Sequence, residues 1–239
     1  MMSSIDTLIE GSRELGISLK AEEIEKFYKF KVLLKEWNKK INLTAIEDDK
    51  EIDIKHFLDS LTLLKTDYIK DGYKIIDIGT GGGFPGIPLK IVREDIELVL
   101  MDSLQKRIKF LDLVINELGL GNIKAIHGRA EDFGRDKEYR EKFDIAVSRA
   151  VASLNILSEY CLPFVKVGGL FIAMKGPDVD AELKESERAI RLLGGKVLDV
   201  IKIKLPLSDI THTLIIIEKI NETLTKYPRK AGKPKKNPL

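Results

Sequence analysis

Asp77, Asp102 and the pair Ala130–Glu131 each stand at or just past the end of a short apolar run, and the first run empties into five glycines between Gly79 and Gly86. A carboxylate at a strand end, followed by a glycine-rich turn, is an arrangement for holding a ligand against backbone. Glycines allow positive φ and let the ligand approach with no Cβ in the way. The string Asp77-x-Gly79-x-Gly81-x-Gly83 suits a cationic ligand better than a pyrophosphate, which the carboxylate would repel. A dinucleotide would also want a third glycine, for close helix–strand packing, where Phe84 stands. Asp102 closes the next run, "IELVLMD", where a carboxylate accepts both hydroxyls of a ribose. Capping the helix that begins at Leu104 is the alternative role, and the two are compatible. In "HGRAEDF", Ala130 would offer a backbone N–H to an adenine ring and Glu131 an acceptor to its exocyclic amine. Taken alone, that stretch is equally an ordinary polar turn.

Strands at Lys74–Ile78, Ile96–Met101, Ile123–Ile126 and Phe143–Val147 must position these groups. They alternate with helical patterns, the clearest being "LQKRIKFLDLVINELG", which stops at Gly119. Such alternation predicts a mostly parallel sheet with helices on both faces, α/β in class. "GGLFIAMK", "GKVLDVIKIKL" and "HTLIIIEKI" then follow with less helix between them, which predicts an antiparallel edge hairpin. Before the sheet, residues 1–70 read as a helical segment. Ser18 is the expected cap of a helix with Phe27, Phe30, Leu34, Trp37 and Ile41 on one buried stripe, and a second helix is expected over Lys50–Leu64. Residues 71–222 form the ligand-binding domain and 223–239 a tail.

The 239 residues are 44% hydrophobic and 33% charged, with no apolar run near the roughly 20 residues that cross a bilayer. A single cysteine, Cys161, excludes an internal disulfide and fits a reducing cytoplasm. It also excludes a cysteine-based zinc cluster, and His56, His127 and His212 lack metal-ligand spacing, so no metal is expected and each reads as a packing or surface histidine. The net charge of +2 matters less than its placement. Six of the 40 Lys and Arg lie in "TKYPRKAGKPKKNPL", which has no acid; the remaining 34 face 38 Asp and Glu. A mildly acidic body with a basic end suggests that one end meets a polyanion; a solvated terminus is the alternative.

Several stretches together resemble one family: "EWNKKINLTAI", "HFLDSL", "DIGTGGGFPGIPL", "DSLQKRIKFL", "GRAED", "SRAVASL", "LPFVKVGG" and the terminal "KYPRKAGKPKKNPL". The family is that of the bacterial small-subunit ribosomal RNA guanine-N7 methyltransferases, also called glucose-inhibited division protein B, and the match runs over nearly the whole chain. The resemblance implies a Rossmann-like class I S-adenosylmethionine-dependent methyltransferase sheet. It also implies a guanine N7 substrate in the 530 loop of 16S rRNA, met as rRNA or as a small ribosomal subunit particle. The motifs carry the cofactor site onto Asp77, Gly79, Gly81, Gly83, Phe84, Asp102, Ser103, Ala130, Glu131 and Arg149.

Guanine N7 carries no proton, so its attack on a methyl group needs alignment and no general base. "SRAV" at the fourth strand end places Ser148 and Arg149 as the catalytic pair, with Arg149 donating to guanine O6 or, alternatively, serving as an ion-pair partner. The tail residues Lys226, Arg229, Lys230, Lys233, Lys235 and Lys236 are expected on phosphates, with Tyr227 stacking on a base. A monomer without membrane contact is expected. A methyltransferase for proteins or small molecules would leave the tail without use, and a non-catalytic RNA-binding module would not need two acids at consecutive strand ends.

Overall fold

The apolar runs after Tyr73 become strands where a period of two buries both faces. β1 (Lys74–Ile78), β2 (Glu97–Asp102), β3 (Ile123–His127), β4 (Phe143–Ser148) and β5 (Val165–Lys175) run parallel. The structure, a computed structural model, describes residues 4–149 and 152–239; Ala150 and Val151 of "SRAVASL" and the first three residues lie outside the described residues. β6 (Gly195–Lys204) and β7 (Thr211–Lys219) form the expected antiparallel hairpin, with β7 inserted between β5 and β6. The sheet order is β3-β2-β1-β4-β5-β7-β6. Strand order therefore reverses between β1 and β4, and the carboxyl ends of those strands flank the crevice where open α/β sheets take ligands.

Alternate residues of the strands feed two cores. Ile75 of β1 with Leu214 and Ile216 of β7 face one core, while Ile76 and Ile78 with Ile215 and Ile217 face the other. The first core is covered by α1 (Ser4–Glu14), α2 (Ala21–Ile41), α5 (Gly86–Val92) and α6 (Gln105–Glu117); the second by α8 (Leu154–Cys161) and α9 (Asp180–Leu192). Phe27, Phe30 and Leu34 of α2 are fully buried in the same cluster as Leu98 and Leu100 of β2. The N-terminal helices thus share the core of the sheet.

Two local expectations change. Ser18 does not cap α2: the helix starts at Ala21, and the Glu23 carboxylate accepts the Lys20 N–H at 2.7 Å, satisfying one of the free amides of the first turn. The second helix runs from Asp49 to Lys65 but is not uniform. α3 (Asp49–Ile52) passes into a π turn (Asp53–Leu58), then α4 (Asp59–Leu61) and a 3-10 turn (Thr62–Lys65). In the wide turn the Asp59 N–H bonds the Ile54 and His56 carbonyls, and the Lys55 carbonyl accepts from Arg149 instead. β6 ends the sheet as an edge strand with a register shift between Val197 and Asp199. Among the described residues no helix is long and apolar enough to cross a membrane.

Candidate cofactor and methyl-transfer site

β1 delivers Asp77 into full burial, where its Oδ2 accepts the Thr80 hydroxyl at 2.7 Å and the Gly86 N–H at 2.9 Å. Asp77 therefore ties the start of the glycine loop to the start of α5. Its Oδ1 is buried without a hydrogen-bond partner among the described residues, and burial pushes the carboxyl up to about 7 against the pull of Thr80, Gly86 and Arg149. The close helix–strand approach that a third glycine would supply falls to Gly86. A Cβ there would lie 2.4 Å from Leu100 Cδ2 and 2.9 Å from Asp77 Oδ2. An exposed helical Gly→Ala gains up to ~1 kcal/mol. Gly86→Ala is expected to lose about 1–3 kcal/mol instead, because overpacking outweighs propensity; equilibrium urea unfolding measures the sign. Gly83 is likewise a packing glycine, at φ +92 with Ile87 Cδ1 2.6 Å from a would-be Cβ.

β2 ends at Asp102, which does more than cap. Its Oδ1 accepts the Leu104 N–H at 2.9 Å, while Oδ2 accepts the Gly81 N–H at 3.0 Å and Arg107 at 3.1 Å. The two acids thus hold the loop from both sides. Beside it opens a cavity of about 430 Å³ lined by Gly79, Asp102, Ser103, Ala130, Glu131 and Arg107, among others. Its size lies in the range of small-molecule sites. Gly79, at φ +74, has among the described residues no atom within 4 Å of a would-be Cβ apart from its chain neighbours, so the place of the missing side chain is open space facing the cavity. These residues fit the adenosine half of S-adenosylmethionine: backbone without Cβ, a strand-end carboxylate for hydroxyls, and an acid for an amine.

Five of the residues expected at the cofactor line this cavity: Gly79, Asp102, Ser103, Ala130 and Glu131. Asp77, Gly81, Gly83, Phe84 and Arg149 do not; they shape or flank the loop. Ser148 is corrected. Fully buried, it donates to the Ile78 carbonyl at 2.9 Å and so pins β4 to β1, which leaves its hydroxyl unavailable to a substrate.

Arg149 sits in a second cluster beyond the loop. Its Nη1 donates to Asp59 Oδ2 at 2.8 Å and to the Lys55 carbonyl at 3.1 Å, and its Cζ lies 5.0 Å from the Phe84 ring centre. The ion-pair alternative is therefore what the geometry contains. Asp59 Oδ1 meets His212 Nδ1 at 2.6 Å. Burial pushes this carboxyl up, but the His212 hydrogen bond and the Arg149 charge bring it below the usual carboxylate range. His56 stacks on Phe84 at 4.5 Å between centroids and faces Arg149 Nη2 at 3.1 Å. Its Nδ1 must accept there, so Nε2 carries the proton toward Thr44 Oγ1 at 2.7 Å. Burial, and next the Arg149 charge, push the imidazole down to about 4.

His56 gives a pH prediction. The unfolded imidazole binds its proton near 6.5 and the folded one near 4, so this contribution is lost as pH falls through that window, by up to about 3 kcal/mol. Asp77 acts with the opposite sign: folded, it keeps a proton up to about 7 that the unfolded chain releases near 3.8, so it favours the fold as pH falls. The difference in unfolding free energy between wild type and His56→Gln, followed from pH 7 to 4, isolates the His56 part and is expected to shrink toward acid.

Of the residues in this cluster, the sequence marks His56 and His212 only as packing or surface histidines and does not single out Asp59. The one local signal was the i,i+3 spacing of His56 and Asp59 in "HFLDSL".

The tail departs most from expectation. The Tyr227 ring is buried in the second core, so it is not free to stack on a base. Arg229 is held by Glu159: Nε donates at 2.8 and 3.0 Å to the two carboxylate oxygens, Nη2 at 2.5 Å and the backbone N–H at 2.7 Å. Lys226, Lys230, Lys233, Lys235 and Lys236 remain exposed. Among the described residues no group of three or more His, Cys, Asp and Glu is arranged to hold a metal ion.

The sheet order and the glycine loop after β1 define a Rossmann-like class I S-adenosylmethionine-dependent methyltransferase fold. The same fold is seen in Methanococcus jannaschii fibrillarin pre-rRNA processing protein (TM-score 0.52, 18% identity, 65% of this chain and 70% of that one). It is seen again in P. horikoshii TYW2 in complex with MeSAdo (TM-score 0.52, 16% identity, 69% and 61%). The chain belongs to the rRNA small subunit methyltransferase G family, whose model matches residues 23–211. It is 56% identical over 234 residues to the ribosomal RNA small subunit methyltransferase G of Alkaliphilus oremlandii, covering 98% of each chain. With that of Acetivibrio thermocellus it shares 56% over 233 residues, 97% of this chain and 95% of the other.

Proposed function

We propose that the chain transfers the methyl group of S-adenosylmethionine to N7 of a guanine in the 530 loop of 16S rRNA. The observation that carries this reading is the cavity at Gly79, Asp102 and Glu131, within a chain whose residues 23–211 match the methyltransferase G family. The cofactor supplies an electrophilic methyl group. Asp102 would accept a ribose hydroxyl at Oδ1, which among the described residues takes only the Leu104 N–H, and Ala130 and Glu131 would hold the adenine edge. Asp77, Gly81, Gly83 and Phe84 keep the loop in shape through the bonds described above.

A guanine N7 lone pair lies in the ring plane and needs no proton removed, so the protein's task is orientation. Arg149, held by Asp59 and the Lys55 carbonyl, would present a fixed guanidinium edge toward guanine O6. His56 stays neutral above pH 4 and would leave the base unprotonated. The guanine must be swung out of its stack to reach the site. Exposed Lys226, Lys230, Lys233 and Lys236 would hold phosphates, so RNA affinity should fall with salt. The reading is of a monomer acting in the cytoplasm on rRNA or a small-subunit particle. Mass mapping of 16S rRNA incubated with purified protein and cofactor tests the reading: one added methyl on a 530-loop guanine is expected, and unmodified rRNA or a methyl elsewhere refutes it.

A further inference from the structure

The basic tail folds back onto the enzyme and ends at the cofactor cavity. Arg135 Nε donates to the Pro228 carbonyl at 2.7 Å, and Arg140 Nη1 donates to the Tyr227 carbonyl at 2.8 Å. Together with Tyr227 and the Arg229–Glu159 pair, these contacts fix residues 227–229 on the second core. From that anchor the chain turns at Gly232, whose N–H donates to Glu131 Oε1 at 2.9 Å. Gly232 and Lys235 then complete the lining of the 430 Å³ cavity, beside Glu131 and Tyr160. Glu131 is almost wholly buried, and its second oxygen has no hydrogen-bond partner among the described residues.

We infer that residues 230–236 are the outer wall of the cofactor cavity, that Lys235 is a cofactor-binding residue, and that cofactor binding and tail docking strengthen one another. This rests on the proposed use of the cavity and adds to it a role for a segment whose charge alone suggested RNA. The chemistry is shared through one carboxylate. Glu131 Oε1 holds the tail backbone, leaving Oε2 to accept an exocyclic amine. Lys235 brings a charged donor to the tail side of the cavity, opposite the adenine edge held by Ala130 and Glu131 in the proposed reading. A ligand that fixes Glu131 fixes the acceptor of the Gly232 N–H, and by linkage a docked tail raises ligand affinity by the same factor. The other lysines of this segment, 230, 233 and 236, are exposed, so RNA engaging them would bear on the cofactor mouth.

The test uses S-adenosylhomocysteine and full-length protein. By calorimetry, Lys235→Ala is expected to weaken binding about tenfold and Lys235→Arg to restore most of it. Lys137→Ala, an exposed charge-matched control, should leave binding unchanged. Saturating S-adenosylhomocysteine should also slow tryptic cleavage after Lys230 in the wild type. Equal binding by Lys235→Ala and wild type, or a cleavage rate indifferent to the ligand, overturns the inference while the proposed function stands. Wild-type protein that does not bind S-adenosylhomocysteine overturns both.

Discussion

Replacing Arg149 by alanine is expected to cut methyl transfer by about a hundredfold or more while S-adenosylhomocysteine affinity changes far less. The guanidinium is outside the cavity lined by Gly79, Asp102 and Glu131, fixed by Asp59 and a backbone carbonyl that the π turn leaves available, and seated against Phe84. The role proposed for it is to hold geometry at the reacting end, where misplacement by about 1 Å costs on the order of a hundredfold. Removing it also strips Asp59, a carboxylate at 1% exposure, of its permanent counter-charge. Part of the loss could then be unfolding, and the Arg149→Ala/Asp59→Asn double variant separates the two effects. Neutralising the acid should recover stability by urea unfolding without recovering turnover. Turnover that returns with stability, or a single variant within a few-fold of wild type, would mean that Arg149 only holds the fold.

Arg229→Ala carries the largest expected stability effect. Glu159 has no solvent exposure at all, and Arg229 supplies four bonds to it, three from the guanidinium. Breaking such a pair from one side leaves a buried charge and costs about 3–5 kcal/mol. The protein can limit that cost by releasing the tail, letting water reach Glu159. Two observables follow: a fall in the urea midpoint, and tryptic cleavage of the tail under conditions where the wild type resists. The double variant Arg229→Met/Glu159→Leu should regain much of the stability, since an apolar pair of similar volume needs no desolvated charge. A single variant as stable and as protease-resistant as wild type would show that the tail is not anchored there.

Local chemistry explains what the sequence disclosed. Strand positions, the glycine loop, Asp102 and the edge hairpin follow from a period of two, from glycine's freedom at φ +74, and from strand-end carboxylates. Those signals span a few residues. The second cluster joins partners 90 and 153 residues apart, Asp59 to Arg149 and Asp59 to His212, and no spacing rule reports such pairs. His212 looked like a packing histidine because its acid lies on a helix near the other end of the chain. The tail misled for a related reason. Six cations without an acid read as an end that meets a polyanion, yet Glu159, which holds Arg229, and Glu131, which accepts the Gly232 N–H, lie in α8 and just after β3, where sequence proximity gives no hint. The helix at Asp49–Lys65 was legible as helix, but not its π turn, because one widened turn leaves the hydrophobic spacing almost unchanged.

β6 has one further effect. A ten-residue border strand with half-exposed Leu198 and Val200 would ordinarily invite a second chain to extend the sheet. The shift at Val197/Asp199 breaks the regular row of amides, and Lys196, Lys202 and Lys204 bring like charges to any copy laid alongside. The hairpin that widens the sheet thus also discourages edge-to-edge self-association.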